Sequence, residues 1–174
     1  MHTENTILIR TDVDTIYRLA AAVERWPALL PHYRWVRVLA ARGERRLVEM
    51  AAHRDGIPVR WWAEQVCEPS VPRIRFRHVR GVTAGMAVEW SFAPQPDGVQ
   101  VSIRHDLALG WPLVGGLVAD RIIGPLFVAN IAGKTLRRMK ALAERSAAPN
   151  PGGPAGSPAG RVVPVCADRR GDDA

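Results

Sequence analysis

The chain has 174 residues, of which 47% are hydrophobic and 24% charged, with a formal net charge of +7. That length fits one globular domain with room for a tail, and the hydrophobic content excludes a chain disordered throughout. Two cysteines, Cys67 and Cys166, are too few for a disulfide framework or a cysteine-based zinc site. Only Lys134 and Lys140 are lysines among 24 basic residues, so no lysine-rich nucleic-acid tail is present.

Residues 1–25 carry Glu4, Asp12, Asp14 and Glu24, with no cationic start followed by an apolar run. No secretory leader is read, and the expected location is the cytoplasm. The least charged stretch, 107–133, is broken by Asp120 and Arg121, which excludes a spanning helix there.

Residues 5–11 alternate and read as a short strand. Thr11 with Asp14 three residues on fits a capping box, which predicts a helix from about Val13. Its apolar face is Val13, Ile16, Tyr17, Leu19, Ala20 and Val23, at helical spacing. Pro27 interrupts it, and residues 26–31 read as a second, very short helix closed by Pro31.

The period then switches to two, and six strands follow in a meander joined by turns at Gly43, Asp55-Gly56, Pro69–Pro72, Gly81 and Pro94–Gly98. The predicted inward faces are Ile57, Val59, Trp61, Ala63, Gln65 and Cys67; then Ile74, Phe76 and His78; then Val82, Ala84, Met86, Val88, Trp90 and Phe92; then Val99, Val101, Ile103, His105 and Leu107. A long helix over about 113–145 is kinked by Gly124-Pro125 and presents Ile131, Ala132, Leu136, Met139, Leu142 and Ala143 on one side. This is an α+β arrangement: one curved, seven-stranded antiparallel sheet whose inner face is covered by the C-terminal helix. The domain is expected to span 1–145. Residues 146–174, with five prolines and five glycines, are expected to form a flexible tail.

Gln65, His78 and His105 are polar residues on faces that are otherwise apolar. Each is either hydrogen-bonded within the core or borders a wet cavity. Their convergence among Trp61, Met86, Trp90 and Ile103 is the composition of a small-molecule pocket, for which a volume of about 300–1,000 Å³ is usual. Arg73, Arg75 and Arg77 form an outward stripe, with Glu49, Glu64 and Glu89 as candidate neutralising partners. No nucleic-acid motif, phosphate-binding glycine loop, nucleophile elbow or zinc-binding His-Glu-x-x-His is present. No metal and no cofactor are expected.

The order strand, two short helices, six strands and long helix, with Trp26-Pro27 closing the helix pair, resembles the helix-grip fold of the START-like superfamily. Within it, residues 5–33, 59–66 (VRWWAEQV), 85–92 (GMAVEWSF) and 135–144 (TLRRMKALAE) are similar to the polyketide cyclase/dehydrase branch, and most of all to the single-domain bacterial aromatase/cyclases. That resemblance implies a cavity receiving a poly-β-ketone tethered to acyl carrier protein, closed into a ring by an aldol step and aromatised by dehydration. It places Trp26, Tyr33, Trp61 and Trp90 at the pocket. Gln65 stands where the family carries a pocket arginine, and it brings a hydrogen-bond donor without the charge.

The expected catalytic set is Tyr33 and His78 as acid/base groups with Gln65 as oxyanion donor. The expected binding set is Trp26, Trp61, Met86, Trp90, Ile103, His105 and Asn130. The Arg73/Arg75/Arg77 face is the expected contact for acyl carrier protein. The alternative function is a non-catalytic carrier of a hydrophobic ligand such as a lipid, quinone or polyketide.

Overall fold

A computed structural model describes residues 2–54, 57–81, 83–107 and 125–147; the side chains of 54, 57, 107, 125–130 and 147 fall outside the description. Strand β1 (His2–Ile9) leads into helix α1 (Val13–Ala21), a 3-10 turn (Val23–Arg25) and the four-residue helix α2 (Trp26–Leu29). Six strands follow: β2 (Tyr33–Arg42), β3 (Arg45–Arg54), β4 (Ile57–Glu68), β5 (Arg73–Gly81), β6 (Met86–Gln95) and β7 (Gly98–Leu107). Helix α3 (Pro125–Ala147) comes last.

The strands form one antiparallel sheet in the order β1-β7-β6-β5-β4-β3-β2. The predicted α+β helix-grip layout is therefore present. No described helix is long and apolar enough to cross a membrane.

The two-residue period put the correct face inward along the four strands from β4 to β7. Ile74, Val101 and Ala63 are fully buried there, and the alternating Arg75 and Arg77 are exposed. Helix α3 buries Ala132, Thr135, Leu136, Met139 and Ala143, the i, i+3, i+4, i+7 stripe of an amphipathic helix. Its second half is tied down by polar contacts. Lys140 Nζ donates to the Leu8 carbonyl at 2.6 Å, the Arg10 amide donates to Glu144 at 3.0 Å, and Arg138 Nε donates to the Leu29 carbonyl at 3.1 Å.

Several expectations shift. The N-cap of α1 is Asp12, not Thr11: the Asp12 carboxylate accepts from the Thr15 amide at 2.8 Å and from its hydroxyl at 2.7 Å. A carboxylate at that position satisfies a free amide and also complements the positive end of the helix. Helix α3 runs to Ala147, two residues past the expected domain end. Residues 108–124, including Trp111 and about the first third of the expected helix, and 148–174, the bulk of the expected tail, lie outside the described residues.

The outer arginine stripe is neutralised mainly by a residue the sequence did not single out. Arg73 and Arg75 each reach Glu68 at 2.6 Å, while Arg77 reaches Glu64 at 3.1 Å and Arg73 lies 3.8 Å from Glu89. Glu49 pairs instead with Arg60 and Arg37, because register sets it opposite Trp62, toward the other end of the sheet. There the guanidinium of Arg60 lies over Trp62 at 4.5 Å and over Trp35 at 5.6 Å, and Arg80 covers Trp62 at 4.9 Å.

Candidate functional site

The inner face of the sheet and helix α3 line a cavity of about 70 Å³. That is well below the volume expected for a ligand pocket, because aromatic side chains fill the space. The rings run in series around it. Trp90 lies 5.8 Å from Trp26, Trp26 meets Tyr33 edge-on at 5.0 Å, Tyr33 lies 6.2 Å from Trp61, and Trp61 stacks on His78 at 5.8 Å.

Eight expected residues line the cavity: Tyr33, His78, Trp26, Trp61, Met86, Trp90, Ile103 and His105. Register explains their meeting. Trp90 sits opposite Ile103 and Val88 opposite His105, so β6 and β7 deliver both pairs to one patch. Tyr33, the first residue of β2, is carried in by α2, where Pro27 follows Trp26 in the first turn.

Gln65 departs from expectation. It is fully buried and points inward, but it is not among the lining residues; its Nε2 donates to the Ala21 carbonyl at 2.9 Å. The amide supports the end of α1 and does not face the cavity as an oxyanion donor. The side chain of Asn130 lies outside the described residues.

Thr83 and Thr135 line the cavity without having been expected there. The Thr83 hydroxyl is 2.6 Å from His78 Nδ1, and the Thr135 hydroxyl is 2.9 Å from His32 Nε2. A threonine in a turn and one on a helix carry no alternation signal. The usable clue was Thr135 within the apolar stripe of α3. Met50 was also missed, although it sits directly opposite Trp61 on the neighbouring strand.

The described lining is free of formal charge at neutral pH. Burial, with a smaller effect from His105, pushes His78 down to about 3, and burial pushes His105 down to about 4 against the opposing pull of Asp106. Burial also raises the Tyr33 hydroxyl well above its ordinary range, so it stays protonated. The site thus offers a neutral phenol donor and two neutral imidazoles. Neutral imidazoles accept protons, but with little driving force at such depressed values. The indole N–H groups of Trp26 and Trp61 and the Nδ1 of His105 are buried without a hydrogen-bond partner among the described residues, each at a cost of about 1–3 kcal/mol if left so. Among the described residues, no group of three His, Cys, Asp or Glu is placed to hold a metal ion.

Known proteins share this architecture. The Zhui aromatase/cyclase of Streptomyces sp. R1128 superposes with a TM-score of 0.74 at 20% identity, covering 84% of this chain and 95% of that one. A START superfamily protein of Mycobacterium smegmatis gives 0.60 at 17% identity, covering 83% and 95%. At such identities the likeness concerns the fold.

In sequence, the chain is 31% identical over 105 residues to the granaticin polyketide synthase bifunctional cyclase/dehydratase of Streptomyces violaceoruber, covering 59% of this chain and 32% of that protein. It is 30% identical over 101 residues to a putative polyketide cyclase of Streptomyces halstedii, covering 56% of this chain and 93% of the relative. The chain therefore spans about a third of the first of these and nearly all of the second. Residues 9–123, more than half of the chain, match the profile described as polyketide cyclase / dehydrase and lipid transport, and the chain belongs to that family.

Proposed function

We propose that the protein binds a polyketide-type hydrophobic compound in the cavity and promotes its aldol cyclisation and dehydration. The observation that carries this reading is the Tyr33 ring held between Trp26 and Trp61 on the wall of the cavity, in a chain of this family. Tyr33, protonated and buried, donates to the carbonyl oxygen that gains charge as the new bond forms. His78, with Nδ1 engaged by Thr83, offers its other nitrogen as proton acceptor. Trp26, Trp61, Trp90, Met86 and Ile103 are the walls, His105 is a polar contact on them, and Asn130 completes the proposed binding set from α3.

Delivery by acyl carrier protein belongs to the same proposal, with Arg73, Arg75 and Arg77 as the contact face. Docking there competes with the ion pairs to Glu64, Glu68 and Glu89. Residues 1–145 are the proposed binding domain, 146–174 a tail outside it, and the cytoplasm the proposed location.

A carrier role is the second reading, favoured by the low basicity of both cavity histidines. Ring closure of a linear polyketone, followed by chromatography, separates the two. For a cyclase, Tyr33→Phe or His78→Gln slows closure by about 10²–10⁴-fold while binding persists, and Trp90→Ala weakens binding first. If both variants close rings as fast as the parent, and only binding responds to mutation, the carrier reading replaces the cyclase.

A further inference from the structure

The outer face of the sheet has two halves of different charge balance. Toward β7, Arg73, Arg75, Arg77 and Arg104 are each matched by acid, through Glu68 and Glu89, Glu68, Glu64 and Glu4 respectively. Toward β2 the match fails. Arg37, Arg60 and Arg80 have one carboxylate between them, Glu49, which pairs with Arg60 and lies 4.0 Å from Arg37. Arg80 has no acidic partner among the described residues.

Register builds this half into a single row. Arg80, Trp62, Glu49 and Arg37 stand side by side across β5, β4, β3 and β2, and the adjacent outward row is Arg60, Ala51 and Trp35. Ala51 carries only a methyl group, so Arg60 reaches across it to Trp35 at 5.6 Å while lying 4.5 Å from Trp62. Arg80 covers Trp62 at 4.9 Å and Arg37 covers Trp35 at 4.8 Å. Two half-buried indoles thus hold three guanidinium groups in the order Arg80, Trp62, Arg60, Trp35, Arg37. Glu49, 4% exposed, anchors the middle one, whereas the Arg37 and Arg60 side chains are 67% and 55% exposed and Arg80 is exposed as well.

We propose that this row is a docking surface for an acidic helix of a partner protein, with carboxylates at i, i+4 and i+8 along one face. The surplus of cations sets the sign of the partner. Tryptophan and arginine are the residue types that concentrate binding energy at protein interfaces, and a planar guanidinium matches a carboxylate through two parallel hydrogen bonds. The indoles already restrain these arginines by cation–π contact, so less side-chain freedom is lost on docking. The lengths agree: β5 to β2 is three strand spacings, about 14 Å, and residues i and i+8 of a helix are about 12 Å apart. Nucleic acid fits less well, because with guanidinium groups over each indole a base would have to displace a cation to stack. None of these residues is among those lining the cavity, so the inference is independent of what the cavity holds.

The test uses a labelled helical peptide of about 16 residues with Glu at i, i+4 and i+8, the same peptide with Gln there, and an oligothymidylate of about 12 nucleotides. Kd values are measured by fluorescence anisotropy at pH 7 on the full chain and its variants. The Glu peptide should bind and the Gln peptide should not. Arg37→Gln and Arg80→Gln should each weaken the Glu peptide about 5-fold or more, the level of an interface hot spot. Arg104→Gln, a matched arginine elsewhere on the same face, should change it by less than about 2-fold. Arg60 is kept, because its removal strands the buried Glu49. Trp35→Leu retains every charge and deletes one indole, and it should weaken binding about 2- to 5-fold.

Should Trp35→Leu fail to fold, the exposed Arg37→Gln and Arg80→Gln carry the test. If Arg104→Gln weakens the peptide as much as Arg80→Gln does, the attraction is only that of a cationic chain, and the inference falls. A folded Trp35→Leu with unchanged affinity overturns the role of the indoles. Oligothymidylate binding tighter than the Glu peptide, and lost in the same variants, assigns the surface to nucleic acid and overturns the proposal. Absence of binding by the Glu peptide overturns it outright, and in every case the cavity reading stands or falls by its own ring-closure test.

Discussion

The imidazole of His78 lies almost parallel to the indole of Trp61, with 5.8 Å between ring centres and 16° between planes, while its Nδ1 is held 2.6 Å from the Thr83 hydroxyl. Stacking fixes the plane of the ring, and the hydroxyl selects which nitrogen is left for the cavity. Thr83→Val keeps the shape and removes the partner, stranding a buried nitrogen. Stability measured by urea unfolding should fall by about 1–3 kcal/mol, and Thr83→Ser should restore most of it. A neutral Thr83→Val would show that the hydroxyl does not hold the ring.

Acid should weaken the fold before its carboxylates titrate. His78 and His105 are held at about 3 and about 4 in the folded protein, against an ordinary value of 6.5. Between those values the unfolded chain binds protons that the folded chain refuses. Their contribution is therefore complete above pH 6.5 and is lost as pH falls toward 4, at up to about 1.4 kcal/mol per pH unit for each histidine. His32, lowered by burial and then by Lys134, acts in the same direction. Unfolding free energies at pH 7, 6 and 5 should decline accordingly, and His105→Gln should flatten the decline. A constant value over that range would contradict the buried, neutral state.

Gln65→Met tests whether that side chain serves the fold or the ligand. Its Nε2 bond to the Ala21 carbonyl is lost, at about 1–3 kcal/mol. Affinity for a cavity ligand should stay within twofold, because Gln65 is not on the lining. A stable variant with lost affinity would reverse the assignment.

Gly81 controls the placement of Trp61. Its φ is +99°, and a Cβ there would lie 2.5 Å from the Arg60 carbonyl oxygen and 2.8 Å from the Trp61 Cα. Both atoms are backbone, so β4 has to move away from β5. Gly81→Ala should cost about 1–3 kcal/mol in strain alone, and thermal unfolding should detect it. The tryptophan emission of the folded variant should also shift as Trp61 is displaced. An unchanged melting temperature would show that the strands part freely.

Most of the sheet was legible because a period of two fixes which face a side chain takes. Trp61, His78, Trp90 and His105 all point inward as alternation requires. Alternation does not say how far along that face a residue sits. Gln65 is inward, yet four residues along β4 from Trp61 it lies beneath the end of α1 instead of at the cavity. The pairing shift that leaves Val79 unpaired beyond His78 was equally invisible, since a bulge depends on both strands. Glu68 lies at the end of its strand and was overlooked as the main partner of Arg73 and Arg75, a contact set by the turn that follows. The choice between Thr11 and Asp12 as cap differed by one residue, and both side chains are competent caps.

The sheet order has a consequence for how the chain is assembled. Strands β2 to β7 each pair with their neighbour in sequence, so those ladders can form as hairpins while synthesis proceeds. Strand β1 has no such neighbour: His2 pairs with Asp106 and Ile9 with Val99, across about a hundred residues. Long-range pairings of this kind are slow because a large loop must close before the contacts form. The first strand of this sheet in chain order is thus the last to find its place. Until β7 arrives, its apolar residues Ile7 and Ile9 lack their cover, and that interval is when the nascent chain is most exposed to aggregation.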